Sequence, residues 1–124
     1  MEKIIFLIIL FISIDIIFIF LIFFRKKKLS KTLLKKINTH LKRISTLPLK
    51  NQILEYDKII DLILKEKGYQ GTLGEKMKSF KASEKLWKAH KFRNKLAHEI
   101  DFHPSKKSQQ IAVEDFKKEI KNLL

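Results

Sequence analysis

Two histidines, an arginine and an asparagine lie close together in the segment SEKLWKAHKFRNKLAHEI, which covers residues 83–100. If the segment is helical, His90 and Asn94 share one face with either Ala97 or His98, and Arg93 lies at the border of that face. Arg93 and His98 are five positions apart, so they are offset by about 140° but by less than two turns along the axis. We therefore expect both side chains to border one groove.

These residue types suit chemistry on a phosphodiester. Histidine exchanges protons near neutral pH, and arginine is a permanently charged planar donor for phosphate. With Asn94 as a polar neighbour, Arg93 and His98 could hold a phosphodiester and move protons while a ribose 2′-hydroxyl attacks it. The same residue types on a surface helix are often only solvated or hydrogen-bonded to neighbours, so a purely structural role stays open.

Metal and cofactor chemistry find less support in the sequence. His90 and His98 lack a carboxylate or cysteine at a spacing that would complete a metal site, and the chain contains no cysteine at all. Only three glycines are present and none forms a phosphate-binding loop. We expect neither a metal nor a cofactor. His40 and His103 are interpreted as solvated residues.

Helical periodicity and capping signals extend over residues 51–124 and predict an all-α fold. Asn51 is expected to cap a helix that ends near Gly68. A short helix follows a capping box formed by Thr72 and Glu75, and Ser83 is expected to cap the helix that carries Arg93. After Pro104 and Ser105, a last helix is expected to bury Ile111, Val113, Phe116, Ile120 and Leu123. Trp87 and Phe92 are interpreted as core residues rather than as platforms for bases.

A long apolar segment precedes this region. Every residue from Ile4 to Phe24 is apolar except Ser13 and Asp15, and a helix over this range spans roughly 30 Å, the thickness of a bilayer's hydrocarbon core. A central aspartate costs about 2.5–3.5 kcal/mol on insertion, which the surrounding apolar residues outweigh. Residues 4–24 are therefore predicted to be a transmembrane helix. Asp15 is either a contact to another helix or a tolerated polar residue.

The segment that follows is strongly basic. Residues 25–50, the basic stalk, contain ten lysines and arginines and no acidic residue, and the whole chain has a formal charge of +14. Leu29, Leu33, Ile37, Leu41 and Ile44 recur at helical spacing, so their stripe is expected to lie either on the membrane or on the following domain. Anionic lipid is the partner expected at this stalk, and RNA is a second anionic partner.

The charge flanking the apolar segment also predicts its orientation. Lys3 precedes the segment, whereas Arg25 and Lys26 to Lys28 follow it directly. The positive-inside rule then places residues 25–124 in the cytoplasm. The chain is predicted to be a single-pass protein of the cell membrane with three parts: the transmembrane helix (4–24), the basic stalk (25–50) and a cytoplasmic helical domain (51–124).

The run from Arg93 to His98 resembles the R-x4–6-H motif of the HEPN superfamily, with the polar Asn94 directly after the arginine. The likeness extends over roughly residues 50–124, and the chain also resembles uncharacterised small bacterial proteins that join one transmembrane helix to such a domain. The resemblance implies a HEPN-like helical bundle that forms a homodimer. It also implies metal-independent RNA cleavage, with Arg93 as the phosphate clamp, His98 as the acid–base group and Asn94 as a polar support.

Two functions follow as expectations. The first is a membrane-anchored endoribonuclease or RNA-binding module. The alternative is a non-enzymatic protein-interaction module at the membrane, in which Arg93, Asn94 and His98 tie helices together. Some members of the superfamily bind only RNA, nucleotides or partner proteins, which keeps the alternative open. Other hydrolase or kinase chemistry is disfavoured because the sequence contains no nucleophile motif or glycine-rich loop.

Overall fold

The computed structural model describes residues 1–24 and 28–124, without the side chains of residues 23 and 24. The described residues form α-helices and no strand, which confirms the predicted all-α fold. In chain order the helices are α1 (Glu2–Phe24), α2 (Lys31–Ile44), α3 (Leu49–Glu66), α4 (Leu73–Phe80), α5 (Glu84–His98) and α6 (Lys106–Leu123). Residues 25–27, the first three of the predicted basic stalk, lie outside the described residues.

Helix α1 is long and apolar enough to cross a membrane. Its segment Glu2–Ile22 has a mean hydropathy of 3.3, and none of it is buried against the rest of the described chain. A helix that is apolar on all sides and leaves those sides uncovered is typical of a segment surrounded by lipid. Within α1, the Ser13 hydroxyl donates to the Ile9 carbonyl at 2.8 Å, which satisfies one of the two polar side chains in the apolar run.

Helices α2 and α3 pack against each other around a short turn. The turn is held by Gln52, whose Nε2 donates to the Leu47 carbonyl at 2.7 Å and lies 3.4 Å from the Ser45 carbonyl. Ile37 and Ile44 of α2 are fully buried in the common core. Of the two positions expected for the apolar stripe of the stalk, α2 therefore occupies the one on the domain, and its basic side chains remain outside.

The core lies between α3 and the helices around it. Helix α3 packs most extensively on α6 and also contacts α2, α4 and α5. Its buried face supplies Ile53, Tyr56, Ile59, Ile60, Ile63 and Leu64, and the other helices contribute Met77, Leu86, Ala89, Leu96, Phe116 and Ile120 among others. Because α3 contacts every other helix of the bundle, a residue on its surface can face α4 and α5 together.

Local signals set most helix ends as predicted. The Gly68 backbone is left-handed (φ 99°), and the amides of Gly68 and Tyr69 donate to the carbonyls of Lys65 and Leu64, which closes α3 in a Schellman motif. The capping box of Thr72 and Glu75 is present at the start of α4. Ser83 caps α5 through the Leu86 amide and Ser105 caps α6 through the Ser108 amide.

Two details of the helices differ from the sequence prediction. Helix α3 begins at Leu49, so Asn51 lies inside its first turn and does not cap it. Pro48 provides the extended residue before the helix, and its carbonyl already accepts from the Gln52 amide. Ile111 is 54 % exposed. It lies about 140° around α6 from the buried Phe116, and Ala112 takes its place in the core.

Candidate functional site

Helix α5 carries the residues that the sequence singles out, and its packing decides which way each one points. Leu86, Ala89 and Leu96 are buried and hold the helix against the bundle. Trp87 and Phe92 are partly buried against the same core, as predicted, and Phe92 meets Phe102 edge to face at a centroid distance of 5.3 Å. With these residues fixed, a neighbouring side of α5 faces α3.

On that side, the buried Asp57 of α3 contacts two residues of α5. Asp57 is only 4 % exposed. Its Oδ1 lies 2.9 Å from His90 Nδ1, and its Oδ2 lies 3.2 Å from Arg93 Nε. A buried carboxylate needs partners of this kind, because an unpaired charge inside a protein is very costly. Asp57 thus joins α3 to α5 through both of its oxygens.

Asn94 closes the cluster into a ring. Arg93 Nη1 donates to Asn94 Oδ1 at 3.1 Å, and Asn94 Nδ2 lies 3.3 Å from His90 Nε2. Because Arg93 can only donate, it fixes the amide oxygen of Asn94 on its own side and turns the NH2 group towards His90. The arrangement that satisfies every contact is a neutral His90 that carries its proton on Nδ1 and accepts at Nε2.

The guanidinium of Arg93 is only partly engaged by this ring. Its Nε is close to Asp57, but the N–H direction does not meet an acceptor, and within the described chain this buried nitrogen makes no hydrogen bond. The contact is therefore an ion pair rather than an aligned hydrogen bond. Nη2 is neither buried nor hydrogen-bonded within the described residues, so one edge of the Arg93 side chain stays open to solvent.

Arg93 and His90 border a groove of about 300 Å³, which we call the α3–α5 groove. The other lining residues are Asp57, Lys58, Asp61, Gly71, Thr72, Leu73 and Lys76. Lys76 is buried, and its Nζ lies 2.7 Å from Asp61 Oδ1. Both carboxylates of the groove are therefore paired with cations. Lys58 is paired with Glu55 at 2.7 Å, and the Glu75 carboxylate already caps the first turn of α4, so Arg93 is the cation that the groove presents. A guanidinium with free N–H groups is a suitable donor for a phosphate group.

His98 lies apart from the ring. It is the last residue of α5, it is exposed, and its imidazole makes no hydrogen bond or ion pair within residues 1–24 and 28–124. The structure thus brings Arg93 and Asn94 together, and it adds His90 and Asp57 to them, but it does not bring His98 into the same cluster. In one copy of the chain, Arg93 faces α3 while the imidazole of His98 is open to solvent.

The sequence does not predict two members of the ring as site residues. It indicates His90 only as a neighbour of Asn94 and as a weak metal ligand, and it gives no role to Asp57. The signal for Asp57 is its position between Tyr56 and Ile60, on the apolar face of its helix, where a carboxylate requires a buried partner. The sequence does not reveal which residue that partner is.

The remaining histidines lie outside this cluster. His103 is exposed in the connection before α6, and His40 lies 3.4 Å from an Arg43 nitrogen on α2. Within the described ranges, no group of three or more histidine, cysteine or acidic side chains is close enough together to hold a metal ion.

Comparison of the chain with protein-family models, with curated proteins and with solved structures finds no match. The likeness to the HEPN superfamily therefore depends on the motif from Arg93 to His98 and on the order of the helices.

Proposed function

We propose that this chain is a membrane-anchored HEPN-like protein that binds RNA and, as a dimer, cleaves it without a metal ion. The proposal depends on one observation: the guanidinium of Arg93 is held in place but not fully hydrogen-bonded. Asp57 and Asn94 hold its guanidinium at the edge of the α3–α5 groove and leave Nη2 open. A fixed, partly unsatisfied guanidinium beside a groove is suited to bind a phosphate group.

The placement of His98 supports the dimer. Cleavage by this route needs a phosphate donor and a proton-transfer group at one phosphodiester, within about 3 Å of the reacting atoms. In one copy Arg93 faces α3, whereas His98 is exposed at the end of α5. A second copy that packs along α5 would supply the missing group. The two copies then share the site, as the resemblance to the superfamily implies.

The chemistry of such a site is a transfer of the phosphoryl group within the RNA. His98 of the second copy takes the proton of a ribose 2′-hydroxyl, and the oxygen attacks the adjacent phosphorus while Arg93 of the first copy binds the phosphate oxygens. The bond from phosphorus to the 5′-oxygen breaks, and this oxygen takes the proton back from the same His98. The products are a 2′,3′-cyclic phosphate and a free 5′-hydroxyl, and the step uses neither metal nor water.

Anchorage in the cell membrane is the second part of the proposal. Helix α1 has the length and composition to cross a bilayer, and the sequence from Arg25 to Lys28 favours a cytoplasmic location for residues 25–124. RNA is abundant on that side of the membrane. The anchor would confine binding and cleavage to RNA that reaches the membrane surface.

A second candidate function is favoured by the closed ring itself. Asp57, His90, Arg93 and Asn94 contact one another across α3 and α5, which is also what a purely structural cluster does. In that case the chain is a non-enzymatic interaction module anchored to the membrane. Its exposed α5 end would then contact a partner protein rather than RNA.

The experiment that separates these functions uses the full chain purified in detergent. Mixed single-stranded RNA is incubated with it in excess EDTA, and both RNA binding and the products are measured. The proposal predicts binding that weakens with salt, and fragments that end in a cyclic phosphate. Binding without cleavage would limit the function to an RNA-binding module. Absence of both would leave the interaction module.

A further inference from the structure

A second groove lies between α2 and α6 and has no part in the cluster around Arg93. Its volume is about 430 Å³. We call it the α2–α6 groove, and it is lined by Asn38, Leu41, Lys42, Ser45, Tyr56, Lys117, Ile120, Lys121 and Leu124. These residues come from α2, α3 and α6, so the groove exists only because α2 packs on the bundle.

The α2–α6 groove combines an apolar floor with a basic rim. Leu41, Ile120 and the ring of Tyr56 form the floor, and three lysines from α2 and α6 stand at its edge. No acidic side chain is among its lining residues in the described part of the chain. The nearest opposing charge is Glu114, whose Oε1 lies 3.3 Å from Lys117 in an exposed pair of a kind that contributes little. This distribution suits a ligand that is anionic at one end and apolar at the other.

Tyr56 offers a hydrogen-bond donor to this groove. The residue is only 2 % exposed, and its hydroxyl makes no hydrogen bond within the described chain but is not among the fully buried polar atoms. The hydroxyl therefore still reaches the groove, where a ligand can accept from it. Burial raises the pKa of Tyr56, and the charge of Lys117 opposes this shift. The hydroxyl is therefore a donor at neutral pH, in the electrostatic neighbourhood of Lys117.

The groove continues towards the membrane anchor as a basic surface. Lys31, Lys35 and Lys42 lie along one side of α2, and a shallow depression lined by them shares Asn38 and Lys42 with the α2–α6 groove. Only six residues separate the last residue of α1 from the first of α2. The α2 end of this basic surface is thus held close to the bilayer that α1 would occupy.

We propose that the α2–α6 groove binds an anionic phospholipid of the membrane in which α1 is anchored. The phosphate meets Lys42, Lys117 and Lys121 and accepts from the Tyr56 hydroxyl, while the glycerol and the first methylenes lie on the apolar floor. This inference depends on the proposed anchorage and adds the lipid chemistry and the site. It is independent of Arg93, His98 and RNA cleavage.

The test uses the full chain in lipid nanodiscs. Because the chain has no cysteine, Ser45→Cys introduces a single site in the groove for a fluorophore that is sensitive to polarity. Its emission is recorded while phosphatidylglycerol replaces phosphatidylcholine in the discs. We expect a shift to shorter wavelength that saturates with the fraction of phosphatidylglycerol and decreases at high salt.

Two variants test whether the groove itself is responsible. In the Ser45→Cys background, the triple change Lys42→Gln, Lys117→Gln and Lys121→Gln should raise the half-saturating lipid fraction about tenfold. The matched control replaces three lysines that are exposed elsewhere, Lys65, Lys78 and Lys85, by glutamine. It should change the half-saturating lipid fraction less than about twofold. Tyr56→Phe keeps the apolar floor and removes only the hydroxyl. It should raise the half-saturating lipid fraction about threefold or more.

Three outcomes would overturn the inference. An emission that ignores phosphatidylglycerol, or depends instead on protein concentration or on an added acidic peptide, assigns the groove to another occupant. Equal effects of the two triple variants mean that general surface charge is responsible. If the chain is not retained in the discs at all, the anchorage and this inference fail together, while RNA binding, measured in detergent, is tested separately.

Discussion

Asp57 is the residue on which the arrangement of α5 depends. It is buried, and its two oxygens contact His90 at 2.9 Å and Arg93 at 3.2 Å. A carboxylate in this position is stable only while it is paired, and the same pairing holds the guanidinium of Arg93 in one orientation. The contact that stabilises the bundle therefore also sets the geometry of the proposed phosphate donor.

Replacing Asp57 by asparagine should separate these two effects. Asp57→Asn keeps an oxygen for His90 but removes the charge that faces Arg93. We expect the free energy of unfolding to fall by about 2–4 kcal/mol and RNA binding at the α3–α5 groove to weaken. Urea denaturation of the full chain in detergent measures the first effect. Asp101→Asn, at an exposed position, is the control and should change stability by less than about 0.5 kcal/mol.

The sequence predicts part of this cluster and misses the rest for a physical reason. Arg93 and Asn94 are neighbours in the chain, and His90 is one helical turn away, so helical spacing alone brings them together. Asp57 is 33 positions from His90, and its contact exists only after α3 and α5 pack. An aspartate on an apolar helix face signals that a partner exists but not where it lies.

Helix α2 has a buried apolar side and an exposed basic side. Ile37 and Ile44 belong to the core of the bundle, whereas Lys35 and Lys42 border the basic surface outside. An amphipathic stripe alone is equally compatible with a membrane surface and with a protein core. The sequence therefore predicted the helix but left its position open, and packing on α3 decides it.

Truncation of the buried residues of α2 tests this position. Ile37→Ala should destabilise the whole bundle by about 2–4 kcal/mol, because it leaves a cavity between α2 and the core. The adjacent exposed Lys36→Ala should have almost no effect. Thermal unfolding followed by circular dichroism compares the two variants. If Ile37→Ala unfolds like the parent, α2 does not pack on the bundle as described.

The start of α4 is an element whose stability should depend on pH. The Thr72 amide donates to Glu75 Oε2 at 2.7 Å, and this bond, followed by the bond to the Thr72 side chain, lowers the pKa of Glu75. A carboxylate with a lowered folded-state pKa stabilises the fold above its ordinary value of about 4.3, and this contribution disappears as the pH falls through the folded-state value.

Glu75→Gln should therefore lose less stability in acid than the parent does. The glutamine can still accept from the Thr72 amide but does not titrate. Unfolding in urea is compared at neutral pH and at about pH 3. Glu66→Gln, an exposed change at the end of α3, serves as the control and should behave like the parent. An acid loss for Glu75→Gln as large as that of the parent would contradict the role of this cap.

For the whole molecule, the distribution of charge and apolar surface defines two regions. Helix α1 is uncovered and apolar, and the rest of the chain holds 26 of the 27 lysines and arginines. The length of α1 could be predicted because a membrane span needs only a long apolar run. The position of the other helices could not, because their contacts are distant in sequence.

Orientation in the membrane gives a prediction for the intact cell. With the basic residues after α1 on the inside, Asn122→Cys should be protected from a reagent that cannot cross the membrane, and Glu2→Cys should react with it. After the cells are permeabilised, both should react. Labelling of Asn122→Cys in intact cells, with Glu2→Cys protected, would show the opposite orientation. Residues 25–124 would then be outside the cytoplasm and could not bind cytoplasmic RNA.

The most direct test of RNA cleavage is the replacement of His98, because this residue is exposed and its side chain makes no hydrogen bond or ion pair within the described part of the chain. His98→Ala and the control His103→Ala are compared with the parent by the rate of RNA cleavage in EDTA and by thermal unfolding. We predict that His98→Ala lowers the rate about 10²–10⁴-fold without a change in stability, and that His103→Ala changes neither. A parent that cleaves no RNA, or a His98→Ala variant that cleaves it as fast as the parent, would contradict the proposed ribonuclease.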